Sequence, residues 1–373
     1  MRKLLALLVL SLAIVLGGCT NDTTEPTVTD PTHIYEEVRE DFLIDAEVSS
    51  FTGDGTVTIY EATPRLLTEN QISDFLAANG DSVSEWTNTY DPERITGYTG
   101  ITALNGKFWH GVYTVGLYPS SLSYYNAQNE RWGNCHIYGG QQHYDNNAHY
   151  VFAHLFTEPK DFDFATAQEA EAKIRNMLSI LGLDDLILNR ILYIDHEILA
   201  NEVTPILQTE EWQSGDKSGF VPTYDDWSEA DDGYIFEFFV GVDGCPLLYQ
   251  SPMTDTLPYH GASVRVWYQA SGIVDLVVDG SPWTVGNSVE TMAHCIPATE
   301  ALATARVRLE NTRSYTNTII DKISGQYMYV IAGDRFLLRP VWVIYAKSTS
   351  IFYTEKSFSQ YVIIDAITGD ELM

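Results

Sequence analysis

Residues 264–278 read VRVWYQASGIVDLVV. β-Branched and aromatic side chains fill both arms, and Ser271-Gly272 separates them. This pattern predicts two strands, Val264–Ala270 and Ile273–Val278, joined by a two-residue turn. The same signal stands upstream, where Tyr234–Val242 faces Leu247–Gln250 across Asp243-Gly244. Downstream the period changes. Pro297 suits the first turn of a helix. Ala298, Leu302, Ala305 and Leu309 follow at spacings of four, three and four, on one helical face. Tyr327–Ala332, Val341–Ala346 and Tyr361–Ile364 then read as closing strands. Val341–Ala346 has no polar residue before Lys347, which suits a strand covered on both faces. Trp342 and Tyr361 are therefore expected in the core. Strands, one helix and strands again predict an α+β fold with a helix laid on an antiparallel sheet.

The first half follows similar rules. Thr68 and Gln71 fit a capping box ahead of a short helix, Glu69–Asn79, with Gly80 behind it. Phe108–Leu117 reads as strand, residues 119–148 as a long polar loop, and Tyr150–Phe156 as strand again. Phe164–Leu181 carries apolar residues at Phe164, Ala167, Ala170, Ile174, Met177, Leu178 and Leu181, a helical stripe. Thr166 and Glu169 form its capping box, and Gly182 is a natural stop. Ile191–Ile194 reads as strand. Residues 209–233 are polar and acidic, which places a boundary near 215. The expectation is two α+β domains, 33–215 and 216–373, with antiparallel sheets each covered by a helix. Glu169-Ala170 and Glu300-Ala301 sit alike in the two helices, as a duplicated helix-on-sheet unit would have them.

The N-terminus is of another kind. Arg2 and Lys3 precede Leu4–Leu16, thirteen residues interrupted only by Ser11. A spanning helix needs about 20 apolar residues, so this run has the length of a signal-peptide core. Leu16-Gly17-Gly18-Cys19 follows and resembles the lipobox of bacterial lipoprotein precursors. The resemblance implies removal of residues 1–18, a diacylglyceryl group on Cys19, and residence on the extracytoplasmic face of the cell membrane. Two acyl chains anchor stably where one does not. Residues 19–32 are rich in Thr and Pro and read as a flexible tether.

The sequence has 51 acidic and 21 basic residues, a formal charge of −30. That argues against nucleic acid as a partner, which needs basic patches. Beyond Cys19, the cysteines are Cys135, Cys245 and Cys295, so at most one intrachain disulfide can form.

Motifs for chemistry fall short. His196-Glu197-Ile-Leu-Ala200 begins like a zinc-protease helix but has Ala where the second His must stand. Cys135, His136, His143, His149 and His154 crowd one stretch. His149 and His154, however, point to opposite faces of a strand and lie about 140° apart on a helix, so no metal site is expected. Ser214-Gly-Asp-Lys217 fits S-x-x-K without companion motifs. Asp225, Asp226, Glu229, Asp231 and Asp232 precede Gly233, but Ala230 breaks the alternation of a calcium loop. Paired carboxylates of a glycosidase are spatial and stay open. No catalytic residue, metal or cofactor is expected.

Leu338-Arg-Pro-Val-Trp342-Val-Ile-Tyr345, followed by Tyr361-Val-Ile-Ile-Asp365-Ala-Ile-Thr-Gly369, is similar to PepSY-like domains. It also resembles the YycH/YycI group of extracytoplasmic regulators and uncharacterised clostridial-type lipoproteins. The resemblance covers about residues 235–373 and implies a non-catalytic binding or regulatory module with an envelope protein partner. A lipid anchor in place of a transmembrane helix departs from YycH/YycI. Asp365 to Gly369 also makes local sense: Asp bonds backbone N–H groups two residues on, and Gly supplies positive φ. A surface hydrolase acting on peptide or glycan is the alternative function. A solute-binding lipoprotein of a transporter is the third, for which the expected repeated βα text is sparse.

Overall fold

The computed structural model describes residues 30–51, 55–64, 67–91, 96–103, 106–113, 121–126, 152–210, 226–248, 263–279, 283–292, 294–312, 315–332, 335–350 and 357–372. The leader, Cys19 and most of the tether lie outside them. The fold is α+β and dominated by antiparallel sheet.

Two sheets carry it. In the first, β1 (His33–Arg39), β2 (Phe42–Ser49), β14 (Tyr315–Ala332), β15 (Arg335–Ser350), β3 (Val57–Pro64) and β13 (Trp283–Met292) lie in that order. There β16 (Ser357–Asp365) also pairs with β15. β14 runs parallel to β2; its pairing with β15 is antiparallel. In the second, the order is β10 (Cys245–Pro246), β9 (Gly233–Val242), β11 (Ser263–Gln269), β12 (Gly272–Asp279), β7 (Ser121–Asn126), β6 (Gly106–Tyr113), β5 (Thr96–Ala103) and β4 (Val83–Asp91). Here β8 (Leu186–Ile194) pairs with β9.

Helices cover both sheets. α1 (Glu69–Ala78) and α2 (Ala167–Ile180) begin with the expected capping boxes at Thr68 and Thr166. α2 packs on β9 and β11, and α3 (Ala298–Asn311) on β14, β15 and β16. Asn79, at the end of α1, clamps the β11–β12 turn: its Nδ2 donates to Ile273 O at 2.8 Å and its Oδ1 accepts from Ile273 N at 2.7 Å. Pro297 is the cap of α3 and not its first residue. Proline has no side-chain acceptor for the free N–H groups of that turn. Asp30 supplies one from far away in sequence, accepting from Ala298 N at 2.8 Å, while Ser50 Oγ donates to its other oxygen at 3.1 Å. Asp30, inside the stretch expected to be tether, is thus fixed to the folded body.

Further expectations change. Ser121–Asn126, placed in the long loop, is a strand in mid-sheet; the rest of 127–148 lies outside the described residues. Ala153–Phe156, expected as strand, is a 3₁₀ helix that buries Ala153 and Phe156 and exposes His154. The division at 215 is not a division between sheets. β8 and β9 flank it and pair with each other, β12 pairs with β7, and β14 pairs with β2. One apolar core joins Phe42 and Ile44 of β2, Phe75 of α1, Phe236 of β9, Ala305 of α3 and Trp342 of β15. A chain of residues 216–373 would leave β9, β12, β13, β14 and β15 each without a strand partner and would lose Phe42, Ile44 and Phe75 from that core. Produced alone, it is expected to show no cooperative unfolding transition. The intact protein nicked within 209–233 is expected to elute as one species until denaturant is added. A fragment that melts cooperatively would contradict this.

Candidate functional site

Among the described residues, two places concentrate polar chemistry. The first is at the end of the second sheet. Ile194 of β8 and Gly233 of β9 are ladder partners. The next residues outward, Asp195 and Asp232, are therefore neighbours across the strands. Both are buried, at 7% and 8% exposure. His196 opens a helical segment, 196–207, that continues through a π-helical turn, Leu199–Val203. The backbone N–H of His196 donates to Asp232 Oδ1 at 2.8 Å, and its Nδ1 lies 2.8 Å from the same oxygen. Asp195 Oδ1 accepts from Glu197 N at 2.9 Å, and Asp195 Oδ2 meets the Lys160 ammonium at 2.5 Å. Asp231 turns away and accepts from Ser228 N and Oγ at 2.9 and 3.2 Å.

One ligand atom each from Asp195, His196 and Asp232 lie within 4.8 Å of one another. Lys160 and the backbone N–H groups already engage both oxygens of Asp195 and one of Asp232. The arrangement is a hydrogen-bonded ion network that ties the helical segment to β9. Burial opposes charge on His196, but the Asp232 hydrogen bond and the field of Asp195 and Glu197 outweigh it and raise its pKa. Burial likewise opposes charge on Asp195, and Lys160 with Glu197 N–H overcomes it, so its pKa falls.

A raised folded-state pKa on His196 stabilises the fold below the unfolded histidine value of about 6.5, and that contribution is lost as pH rises through the folded value. Replacing His196 by Gln should therefore lower Tm more at about pH 5.5 than at about pH 8.5, both above the ordinary carboxylate range. Thermal unfolding of both proteins at the two pH values checks this. An equal loss at both would mean that the charged pair contributes nothing.

The second place is a cleft of about 340 Å³ between the β9–β10 hairpin and the first sheet. The hairpin turn, Asp243-Gly244, has positive φ at both residues, 52° and 74°, as a tight two-residue turn of this hand requires. Its Asp243 carboxylate accepts from Tyr60 Oη at 2.6 Å and Tyr327 Oη at 3.3 Å, which ties it to the first sheet. Phe239, Pro246 and Leu247 form the apolar wall, and Lys322, Gln326 and Tyr345 stand among the polar residues opposite.

Lys322 reaches this wall because of a bulge. Ile320 pairs with Ala346, but the next pair is Lys322 with Tyr345, leaving Asp321 unpaired. Strict alternation would turn residue 322 to the face of Ile320, which is fully buried in the core. The extra residue turns the lysine to the opposite face and lets Ile323 return to the core. The Lys322 ammonium lies 5.6 Å from the Tyr345 ring centroid. Gln326 Nε2 donates to Tyr345 Oη at 2.8 Å, and Lys347 pairs with Asp321 at 2.7 Å.

The fold is similar to that of a solved structure. It is the crystal structure of an uncharacterised protein from Eubacterium rectale, with a TM-score of 0.63, 16% identity, and coverage of 92% of this chain and 94% of that one. At that identity the likeness shows the fold alone. No protein-family model and no curated protein matches the chain.

Of the residues singled out in the sequence, Cys19, Cys135, His136, His143, His149, Ser214, Lys217 and Asp225 lie outside the described residues. The Cys245 thiol is buried. That of Cys295 is half-buried, and its pKa is pushed up to about 11, first by burial and then by Asp30. His196 and Asp232, each taken from a motif that failed, meet each other. Asp365 Oδ1 accepts from Ile367 N and Thr368 N at 2.9 and 3.0 Å, and Gly369 has φ +76°, the expected turn. Arg339 also pairs with Asp365 at 2.7 Å. Lys322, Gln326 and Tyr345 were not anticipated as a group. The signal for them is the spacing of three between Ile320 and Ile323, which breaks strand alternation.

Proposed function

We propose that this chain is a bacterial lipoprotein, held on the extracytoplasmic face of the cell membrane by lipid on Cys19, that acts by binding. The observation that carries this is Leu16-Gly17-Gly18-Cys19 directly after a basic and apolar leader. Support comes from Asp30, whose two hydrogen bonds fix it to the N-terminus of α3 and to Ser50. Eleven residues from Cys19 to Asp30, at about 3.5 Å each, hold the N-terminus of α3 within roughly 40 Å of the bilayer. Among the described residues no helix is long and apolar enough to cross a membrane. The binding role, with an envelope protein as partner, rests on the C-terminal resemblance to PepSY-like and YycH/YycI-type domains. Mass spectrometry of the mature chain tests the anchor: it should begin at Cys19 and carry the mass of a diacylglyceryl group. A mature chain that retains residues 1–18 would refute it.

The alternative is a surface hydrolase, and the His196–Asp232 pair is what favours it. A carboxylate that orients an imidazole is a common general-base arrangement. Peptide or glycan turnover that His196→Gln abolishes would decide for that reading.

A further inference from the structure

We propose that the cleft beside Lys322 binds a small ligand that carries one carboxylate on an apolar body, the chemistry of a hydrophobic peptide C-terminus or of a free apolar acid. The inference rests on the binding role and names the ligand class for it. Charge comes first. Acidic residues outnumber basic ones 51 to 21, so a cation in this chain is seldom short of a carboxylate. Arg175, Arg190, Arg306, Arg308, Arg335 and Arg339 all have one. Among the described residues Lys322 has no ion-pair partner. Its contact is the face of Tyr345, which holds the ammonium in place by cation–π attraction while leaving its N–H donors available.

The bulge at Asp321 also points to the cleft. It interrupts two ladders at once, with β15 and with β2, and its local effect is to take Lys322 off the core face and turn it to the cleft. The donors also match a carboxylate in number. Lys347 is neutralised by Asp321, so this group offers one net positive charge. Tyr345 Oη accepts from Gln326, which leaves its own hydrogen to donate. One ammonium and one hydroxyl donor suit the two oxygens of a carboxylate. A phosphate dianion would call for more cationic partners. The wall of Phe239, Pro246 and Leu247 suits an aliphatic or aromatic side chain beside that carboxylate. At about 340 Å³ the cleft falls at the small end of ligand sites.

Titration of the full-length protein in detergent tests this, with N-acetyl-L-leucine and its neutral amide as probes, followed by ligand-observed NMR. The acid should bind saturably and the amide about tenfold more weakly, since a charge-assisted bond is lost. Lys322→Gln should weaken acid binding by about tenfold and leave amide binding unchanged, with Tm unaltered because the side chain is exposed. Tyr345→Phe should give a smaller loss of the same kind. An acetylated tripeptide ending in leucine that binds tighter than the single residue would identify a peptide end; equal affinity would identify a free acid. No saturable binding of the acid below about 10 mM, equal affinity for acid and amide, or an unchanged acid affinity in Lys322→Gln would each overturn the proposal. Such a failure would leave retention by Cys19 intact, and loss of retention would leave the titration readable.

Discussion

Trp342→Ala is expected to lose roughly 3–5 kcal/mol of stability, the usual cost of emptying a buried tryptophan site. Typical total stability is only about 5–15 kcal/mol. The indole is fully buried. It meets Phe51 edge-on, with ring centroids 5.0 Å apart and planes at 69°, and its strand neighbours are Gly325 and Ile364. Opposite Trp342, Gly325 leaves no room to spare: a Cβ there would come within 3.1 Å of Phe51. The indole Nε1 donates to Ile296 O at 2.9 Å, so the alanine variant also strands a carbonyl, adding about 1–3 kcal/mol where no water replaces it. A Tm lower by roughly 5–10 °C is expected. Trp342→Phe should keep much of the packing, lose that hydrogen bond, and fall between the two. Calorimetry on the three proteins checks the order. An alanine variant with unchanged Tm would mean that the indole is a surface feature and that the account of the first sheet is wrong.

That residue also shows how far sequence reads into structure. Val341, Trp342, Val343 and Ile344 are all fully buried, as an apolar run without alternation predicts. Local chemistry was equally plain at Thr68, Thr166, Asp243-Gly244 and Asp365–Gly369, where each turn or cap is decided within a few residues. β1, β2 and β3 were not anticipated. Only Ile34 and Val38 of β1 pack against the core. β2 takes its second neighbour, β14, from some 275 residues away. Register hid the polar clusters. Asp195 and Asp232 meet because Ile194 pairs with Gly233, a fact no local window contains. Lys322 lines the cleft because Asp321 is squeezed out of two ladders at once. The boundary near 215 differs for a related reason: polar composition carries no record of pairing, and the strands on either side of the stretch, β8 and β9, pair with each other.

Cys19→Ala is expected to release the protein from the membrane completely. The proposed lipid is the whole of the anchor: two acyl chains hold stably, and no second apolar run of spanning length occurs in the sequence. The chain's net charge of −30 offers nothing to hold the body on anionic headgroups once the lipid is gone. The substitution lies eleven residues before Asp30, so Tm of the body should not change. The direct measurement is detergent-phase partitioning of wild type and Cys19→Ala, each expressed with its leader in a bacterial host. Wild type is expected in the detergent phase and the variant in the aqueous phase with an unaltered melting curve. A variant that still partitions with detergent would contradict it.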